Sequence, residues 1–489
     1  MEITIVIESR ARIVGGLSLL DRVVLSELKR PFEHDNPEWS KKRRLGLPTW
    51  NEPKTIRTWK EDGADLSFPR GGLGRVTRVL REAGVDVVVR DARQFGVEVS
   101  MPEFRRTLYP YQRDLVDAAI ERYQCIVRAP TGSGKTTALL AIAAQVRVPT
   151  LVVVHSQALL DQWKERAVSE LGLRPSQVGI VQGKKFDLRP MTLTIQKTMA
   201  KVAEESREVR DYFGCVIADE VHLFAASTFF ACIDPFPARY RIGASADHRR
   251  KDRKEFLIHD LFGDVAAEVS REKLVGSGHV LEVEIRAVPT DFAAPWYGVP
   301  ESKEDERQLD FVRLVKEMAE DPERNWMAVR IVREEVAGGE QVLVMAHERE
   351  HCMRLGQTLT GLGIRTGYLL GGPESAKEFA KTLAGLKDGR VQVGVGTYKA
   401  IGTGIDLPRV GVAVGMTPIS GNQQFFGQVR GRVCRTAEGK STARLYVLWD
   451  RNVYPKHLKN LLAWNAEVVV RDSVGDWTPG KAYLKTTGT

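Results

Sequence analysis

Residues 129–136 read APTGSGKT and residues 428–435 read QVRGRVCR. In the first string the backbone amides of Gly132, Ser133 and Gly134 can wrap phosphate oxygens, because glycine lets the chain approach where a side chain would obstruct it. Thr131 completes the loop, Lys135 would neutralise the β- and γ-phosphates, and the Thr136 hydroxyl would bind Mg2+. Ala129 stands where the strict pattern has Gly. The second string offers Arg432 and Arg435, three apart as on one helix face, with planar guanidinium forks that match phosphate oxygens as lysine would not. About three hundred residues separate the strings. The expected geometry is therefore two ATPase-fold lobes closing on one ATP, with the arginines supplied from the second.

Asp219 and Glu220 follow the apolar run CVIA, which as a buried strand would deliver both carboxylates to the sheet edge beside the phosphate loop. Asp219 is then placed to hold the metal through water, and Glu220 to orient or deprotonate the attacking water. His222 completes DEVH and is expected to link the nucleotide site to the next string, GASAD at residues 243–247. Upstream, LYPYQRDLV places Gln112 where its amide could read an adenine edge, with Tyr109 or Tyr111 available to stack.

These groups need a scaffold, and from residue 108 onward short apolar runs alternate with amphipathic stretches, as in parallel sheets wrapped by helices. CIVRAP, TLVVVH, LTIQ, CVIADE and RIGAS are the predicted buried strands of a first lobe, with TTALLAIAAQV and ALLDQWKERAVSEL as helices between them. A polar stretch over residues 293–307, including ESKEDER, reads as a hinge or exposed loop. VEIRAVPT, QVLVMAH, RTGYLL, VQVGVGT, VGVAVGM and ARLYVLW are the predicted strands of a second lobe, and DWTPGKAYLKTTGT reads as an extended appendage.

A chain of 489 residues with 43% apolar content can build two or three cores, and a formal charge of +9 suits a polyanionic partner. The chain has no apolar run of membrane-spanning length, and MEITIVIESR carries charges inside what would be a signal peptide's apolar core, so a cytoplasmic or nucleoid-associated protein is expected. Its five cysteines are scattered without a C-x-x-C, which argues against a disulfide framework or a zinc site. His347, His351 and Cys352 could share adjacent helical turns but lack a fourth ligand. Before residue 108 the character changes to a basic run, Lys41 to Arg44, the loop-like GLPTWNEPKT, and then GLGRVTRVLREAGVDVVVRD as a helix leading to a strand, together a separate small α+β domain.

In this order, LYPYQ, APTGSGKT, DEVH, GASAD, GTYKAIGTGIDLP and QVRGRVCR resemble the motif series of superfamily 2 helicases and translocases, most of all the XPB/UvsW-like branch. The resemblance implies an α/β fold of two tandem RecA-like domains with a small α+β accessory domain, divided as 1–104, 105–278, 279–468 and a tail, 469–489. It implies that Gln112 reads adenine, that Gly404, Asp406 and Gln428 join the nucleotide site, and that Lys135, Asp219, Glu220, Arg432 and Arg435 carry hydrolysis, with Thr136 and Asp219 on Mg2+. HSQALLDQW and LTIQK resemble strand-contacting motifs, making His155, Ser156, Thr194 and Gln196 candidates for nucleic acid, with Thr397 as the second-lobe counterpart. The implied partner is single-stranded, forked or branched DNA. Arg70, Arg75 and Arg78 join Lys41 to Arg44 as candidate phosphate contacts, and Trp39, Trp50 and Trp59 are candidates for stacking, against the alternative that they serve the small domain's own core and surface.

Two departures stand out. Where the usual third motif is Ser-Ala-Thr, this chain has Ser245, Ala246 and Asp247, and Val154, His155 and Ser156 stand where Val-Pro-Thr is usual. The function implied is an ATP- and Mg2+-dependent DNA helicase or translocase in repair or recombination. An RNA helicase, or an ATP-gated binding component of a larger assembly, are the alternatives.

Overall fold

Aliphatic runs that are apolar on both faces fold as central parallel strands, because only covered sheets shelter both sides. The computed structural model describes residues 2–487 except 16, 64, 184, 225, 247–251, 298–303, 402–406, 418–422, 442, 465–467 and 472–474, and the backbone alone of 227, 304–309, 423–425, 428 and 485–487. The chain divides into two compact units, Met1–Pro130 with Gly134–Arg271, and Thr131–Ser133 with Glu272–Thr489.

The first unit holds an eight-stranded sheet in the order Lys185–Phe186, Val178–Gln182, Met191–Ile195, Thr150–Val154, Cys215–Asp219, Tyr240–Ser245, Gln124–Arg128, Val265–Glu268. All pairings are parallel except the outermost, Lys185–Phe186. Leu151, Val152, Val216 and Ile217 are fully buried at its centre. Helices Lys135–Val146 and Gln157–Leu171 follow the strands that sequence periodicity assigns them. A parallel sheet aligns its carboxyl ends, so Ala129, His155, Glu220 and Ala246 emerge along one edge. This is a RecA-like domain.

Ahead of it lies a five-stranded mixed sheet ordered Lys60–Asp62, Asp65–Pro69, Arg10–Val14, Glu2–Ile7, Asp86–Asp91. Strand Glu2–Ile7 alternates, with Ile3, Ile5 and Ile7 facing a core that Leu66, Phe68, Val76 and Leu80 complete. Helix Leu73–Glu82 contributes Val76 and Leu80 from positions four apart, one helical face.

Small domain and first RecA-like domain are joined by buried charge. Arg70 donates through Nη1 to Glu8 O at 3.0 Å and Ala238 O at 2.8 Å, through Nη2 to Arg239 O at 3.4 Å, and through Nε to Gln124 Oε1. Asp260, fully buried, accepts from Arg75 at 2.6 Å and Thr58 at 2.6 Å and meets His34 Nε2 at 3.1 Å. His34 also stacks on Phe256, with ring centroids 3.8 Å apart. Arg241 donates to Ser9 O and Phe236 O, and Arg10 pairs with Asp234. A Cβ on Gly71 would come within 2.4 Å of Gly263 N and His259 O, so only glycine admits this approach of backbones. Arg70 and Arg75 are thus interface residues and not phosphate contacts: their guanidinium groups satisfy carbonyls and a carboxylate inside the fold. Arg78 is exposed on the outer side of its helix.

The second unit is a second RecA-like domain, an eight-stranded sheet ordered Thr366–Leu369, Val393–Thr397, Val342–Ala346, Val412–Gly415, Arg444–Asp450, Glu284–Thr290, Val468–Arg471, Trp477–Pro479. Only the last pairing is antiparallel. Two expectations change here. The run read as a hinge leads into helix Glu304–Glu320, whose first turn is the charged EDER of residues 304–307 and whose Leu314 and Met318 pack four apart inside. The closing segment is not extended: Trp477–Pro479 pairs with Val468–Arg471, Trp477 packs edge-on against Tyr446, and helix Gly480–Thr487 follows. All five cysteines are free and buried, and burial pushes the thiols of Cys125, Cys215 and Cys352 up to about 12. Among the described residues no helix is long and apolar enough to cross a membrane.

Candidate nucleotide site

Strand Gln124–Arg128 ends at Ala129, whose amide donates to Ser245 O at 3.1 Å and ties the loop's entry to the neighbouring strand. Gly132 and Gly134 take φ of 93° and 74°, the left-handed region that glycine enters without strain. Gly134 is the residue from which helix Lys135–Val146 springs, so the helix's unpaired amides and positive dipole end open onto the loop. Gln112 is buried against it. Its Oε1 accepts from Tyr109 N at 3.0 Å and its Nε2 donates to Gly134 O at 3.4 Å, so the amide clamps helix Pro110–Arg122 to the loop.

Lys135 is buried and its ammonium meets Glu220 Oε1 at 2.7 Å. Strand Cys215–Asp219 ends there, and Glu220 turns out of it at φ 54°, a left-handed conformation that costs a non-glycine residue about 1–2 kcal/mol. That turn sends the Glu220 carboxylate towards Lys135 and the Ala246 amide, 3.4 Å from Oε2. Asp219 stays inside: Oδ2 accepts from the Trp163 indole at 3.0 Å, while Oδ1 is sheltered without a hydrogen-bond partner among the described residues. An orphaned carboxylate oxygen beside a helix N-terminus fits a hydrated divalent cation. Burial, then the adjacent Glu220 charge, raise the Asp219 pKa; burial also opposes ionisation of Glu220, but Lys135 and His222 outweigh it and hold that carboxyl low. A divalent cation facing Asp219 would offset that burial and favour its ionised form, the form a metal ligand must take. His222 Nδ1 lies 2.7 Å from Ser245 Oγ, joining the two motif strands.

The candidates for nucleic acid divide. His155 follows strand Thr150–Val154, where burial lowers its pKa, and neither ring nitrogen has a hydrogen-bond partner among the described residues. Ser156 caps helix Gln157–Leu171 by accepting from Leu159 N. Thr397 likewise accepts from Ala400 N at 3.2 Å. Thr194 is fully buried in a central strand, its hydroxyl donating to Val181 O at 2.9 Å, and Gln196 is buried beyond it.

In the second unit Arg432 lies on helix Gln423–Val433, which stops before Arg435. Arg435 is in extended backbone bridged to Val280, so the two arginines do not share a helical face. Gly404, Asp406 and Asp247, and the side chain of Gln428, lie outside the described residues.

Residues 105–250 match the family described as the res subunit of type III restriction enzymes. A relative from Kineococcus radiotolerans, "DNA 3'-5' helicase XPB", is 25% identical over 380 residues, 75% of this chain and 64% of that one. "Putative DNA 3'-5' helicase Rad25" from Halobacterium salinarum is 29% identical over 386 residues, 76% of this chain and 59% of that one. The chain is similar to XPB-like superfamily 2 helicases over about three quarters of its length. It spans about 60% of the length of these relatives. A fragment of a type I restriction HsdR subunit from Vibrio vulnificus shares the fold, with a TM-score of 0.54 at 15% identity over 90% of this chain and 83% of that one. The family match contains Gln112, the phosphate loop and both acids, and ends before the arginines of the second domain. Trp163, which fixes Asp219, was missed as a site residue. Its only sequence signal was helical spacing, which puts it on the buried face of helix Gln157–Leu171.

Proposed function

We propose that this chain hydrolyses ATP with Mg2+ and uses the cycle to move on DNA and to remodel or unwind branched or damaged DNA in repair or recombination. The observation that carries the reading is the Lys135–Glu220 ion pair beside the partnerless oxygen of Asp219, at the N-terminus of a helix entered through a left-handed glycine. A bound Mg2+ would neutralise charge building on the phosphates, held by the Thr136 hydroxyl and, through water, by Asp219. Phosphate entering the loop competes with Glu220 for the Lys135 ammonium. Once Lys135 turns to phosphate, Glu220 loses the cation that most suppresses its basicity and can orient or accept a proton from water. Arg432 and Arg435 are read as the cations that stabilise the transferring phosphoryl group.

DNA as the polymer is supported by the relatives' names and by the chain's positive charge. In the small domain the exposed basic candidates are Lys41, Arg43, Arg44 and Arg78, with Trp50 82% exposed and Trp39 held under Arg43 and Lys54. These residues are read as the contact for unusual DNA structure.

The test measures ATPase stimulation by single-stranded, duplex, forked and four-way-junction DNA and by matched RNA. Lys135→Ala and Arg435→Ala are each expected to lower stimulated turnover at least about a hundredfold. Turnover near wild type in either variant overturns the site assignment, stimulation by RNA alone overturns the polymer, and hydrolysis without displacement of any strand or bound protein favours an ATP-gated binding component.

A further inference from the structure

Lys440 belongs to no motif, yet it is half-buried and its ammonium lies among main-chain oxygens. The ammonium donates to Val433 O at 2.7 Å, Arg435 O at 2.7 Å and Pro408 O at 3.0 Å. An ammonium has three N–H groups, and here each meets a carbonyl from a different point of the chain. Val433 closes helix Gln423–Val433, so its carbonyl is among the last four that no helical amide can reach, at the negative end of the dipole. Arg435 is caught from both sides. Its carbonyl accepts from Lys440, its own residue bridges Val280, and the preceding Cys434 carbonyl accepts from Leu281 N at 2.7 Å. Pro408 anchors the same ammonium to the segment that follows residues 402–406.

We propose that Lys440 is a positioning residue for hydrolysis: by binding the carbonyls of Val433 and Arg435 together it ends the arginine helix where it does and sets the direction in which the Arg435 guanidinium leaves the backbone. This rests on the reading that Arg435 acts on the γ-phosphate. Lys440 itself touches no substrate, because its three donors are spent on the chain. Full use of three carbonyls requires the protonated form. A neutral amine keeps two N–H groups and turns a lone pair towards the third oxygen. Burial lowers the Lys440 pKa to about 8; Cys434 and Glu340 oppose that shift and Arg435 assists it. Below about pH 8 the clamp is therefore complete, and as pH rises through that value it loses a bond.

The experiment uses the full-length protein and measures DNA-stimulated kcat and KM for ATP from pH 6.5 to 9.5, as assay settings of about that span. Lys440→Met is expected to lower kcat about 10- to 100-fold with KM for ATP within about threefold, since misplacement of a catalytic group costs that much. Adding Lys440→Met to Arg435→Ala should cost little more than Arg435→Ala alone, because both act through one group. Lys440→Arg, charged throughout this range, should recover part of kcat and remove the alkaline fall expected of wild type near pH 8. Thermal melting identifies a variant that has lost its fold; the wild-type alkaline limb, and its absence in Lys440→Arg, then carry the test. An impaired Arg435→Ala with Lys440→Met near wild type, a multiplicative double variant, or an alkaline limb retained in Lys440→Arg overturns the proposal. An unimpaired Arg435→Ala overturns the reading of the site and this inference with it.

Discussion

Replacing Arg70 with methionine should unlock the small domain from the first RecA-like domain. The side chain is 3% exposed and donates to four acceptors, the amide oxygen of Gln124 and the carbonyls of Glu8, Ala238 and Arg239. Methionine fills much of the same space but donates nothing, so these acceptors lose their partner in a site closed to water. Hydrogen bonds from a charged donor contribute about 1.5–3 kcal/mol each. Against their loss stands relief of the buried charge, since burial and then the repulsion of Arg241 lower the Arg70 pKa well below its usual value. What the substitution leaves behind is neutral acceptors, each costing about 1–3 kcal/mol when unpaired and closed to water, so a net cost of about 3 kcal/mol is expected. That cost falls on the junction, so equilibrium urea denaturation followed by tryptophan fluorescence should show an earlier transition for the small domain. Limited proteolysis should then cut between residues 94 and 104, where the connecting chain runs along the first unit. Arg70→Lys should behave alike, because a single ammonium cannot span the acceptors that the guanidinium fork reaches. A single transition at the wild-type midpoint, with unchanged protease resistance, would refute the reasoning.

Acid should weaken the same junction through Asp260. Burial works against its ionisation, but His34, Arg75 and Thr58 together lower its pKa below the usual carboxylate value, so its contribution is complete above about pH 4 and is lost as pH falls through the folded value. Urea midpoints measured from pH 5 downwards should fall more steeply for wild type than for Asp260→Asn; parallel curves would remove Asp260 from the account. Trp163→Phe deprives Asp219 Oδ2 of its donor and should cost about 1–3 kcal/mol by chemical denaturation, with ATP turnover reduced as well. Unchanged stability would mean that Asp219 finds another donor.

The phosphate loop and the two acids were legible because their chemistry needs fixed residue types at fixed spacing, and a strand before each of them and a helix after the loop show in hydrophobic pattern alone. The junction was not. Asp260 finds Thr58, Arg75 and His34 across more than 180 residues each, and nothing local distinguishes an arginine that will be buried against carbonyls from one that will face solvent. The end of the arginine helix was hidden because QVRGRVCR continues helically in pattern, and the group that stops it, Lys440, arrives from later in the chain. ESKEDER was ambiguous between exposed linker and helical first turn, and only packing of Leu314 and Met318 decides it.

The five buried thiols give the molecule a practical property. Alkylating and disulfide-exchange reagents attack thiolate that solvent can reach, and no native cysteine here is in solvent, with at least three held far above neutral pKa. A cysteine placed on the open surface, at Trp50 for instance, would then be the reactive group of an otherwise silent background. A fluorophore or crosslinker could be attached there without first removing the native residues, each of which fills part of a packed core.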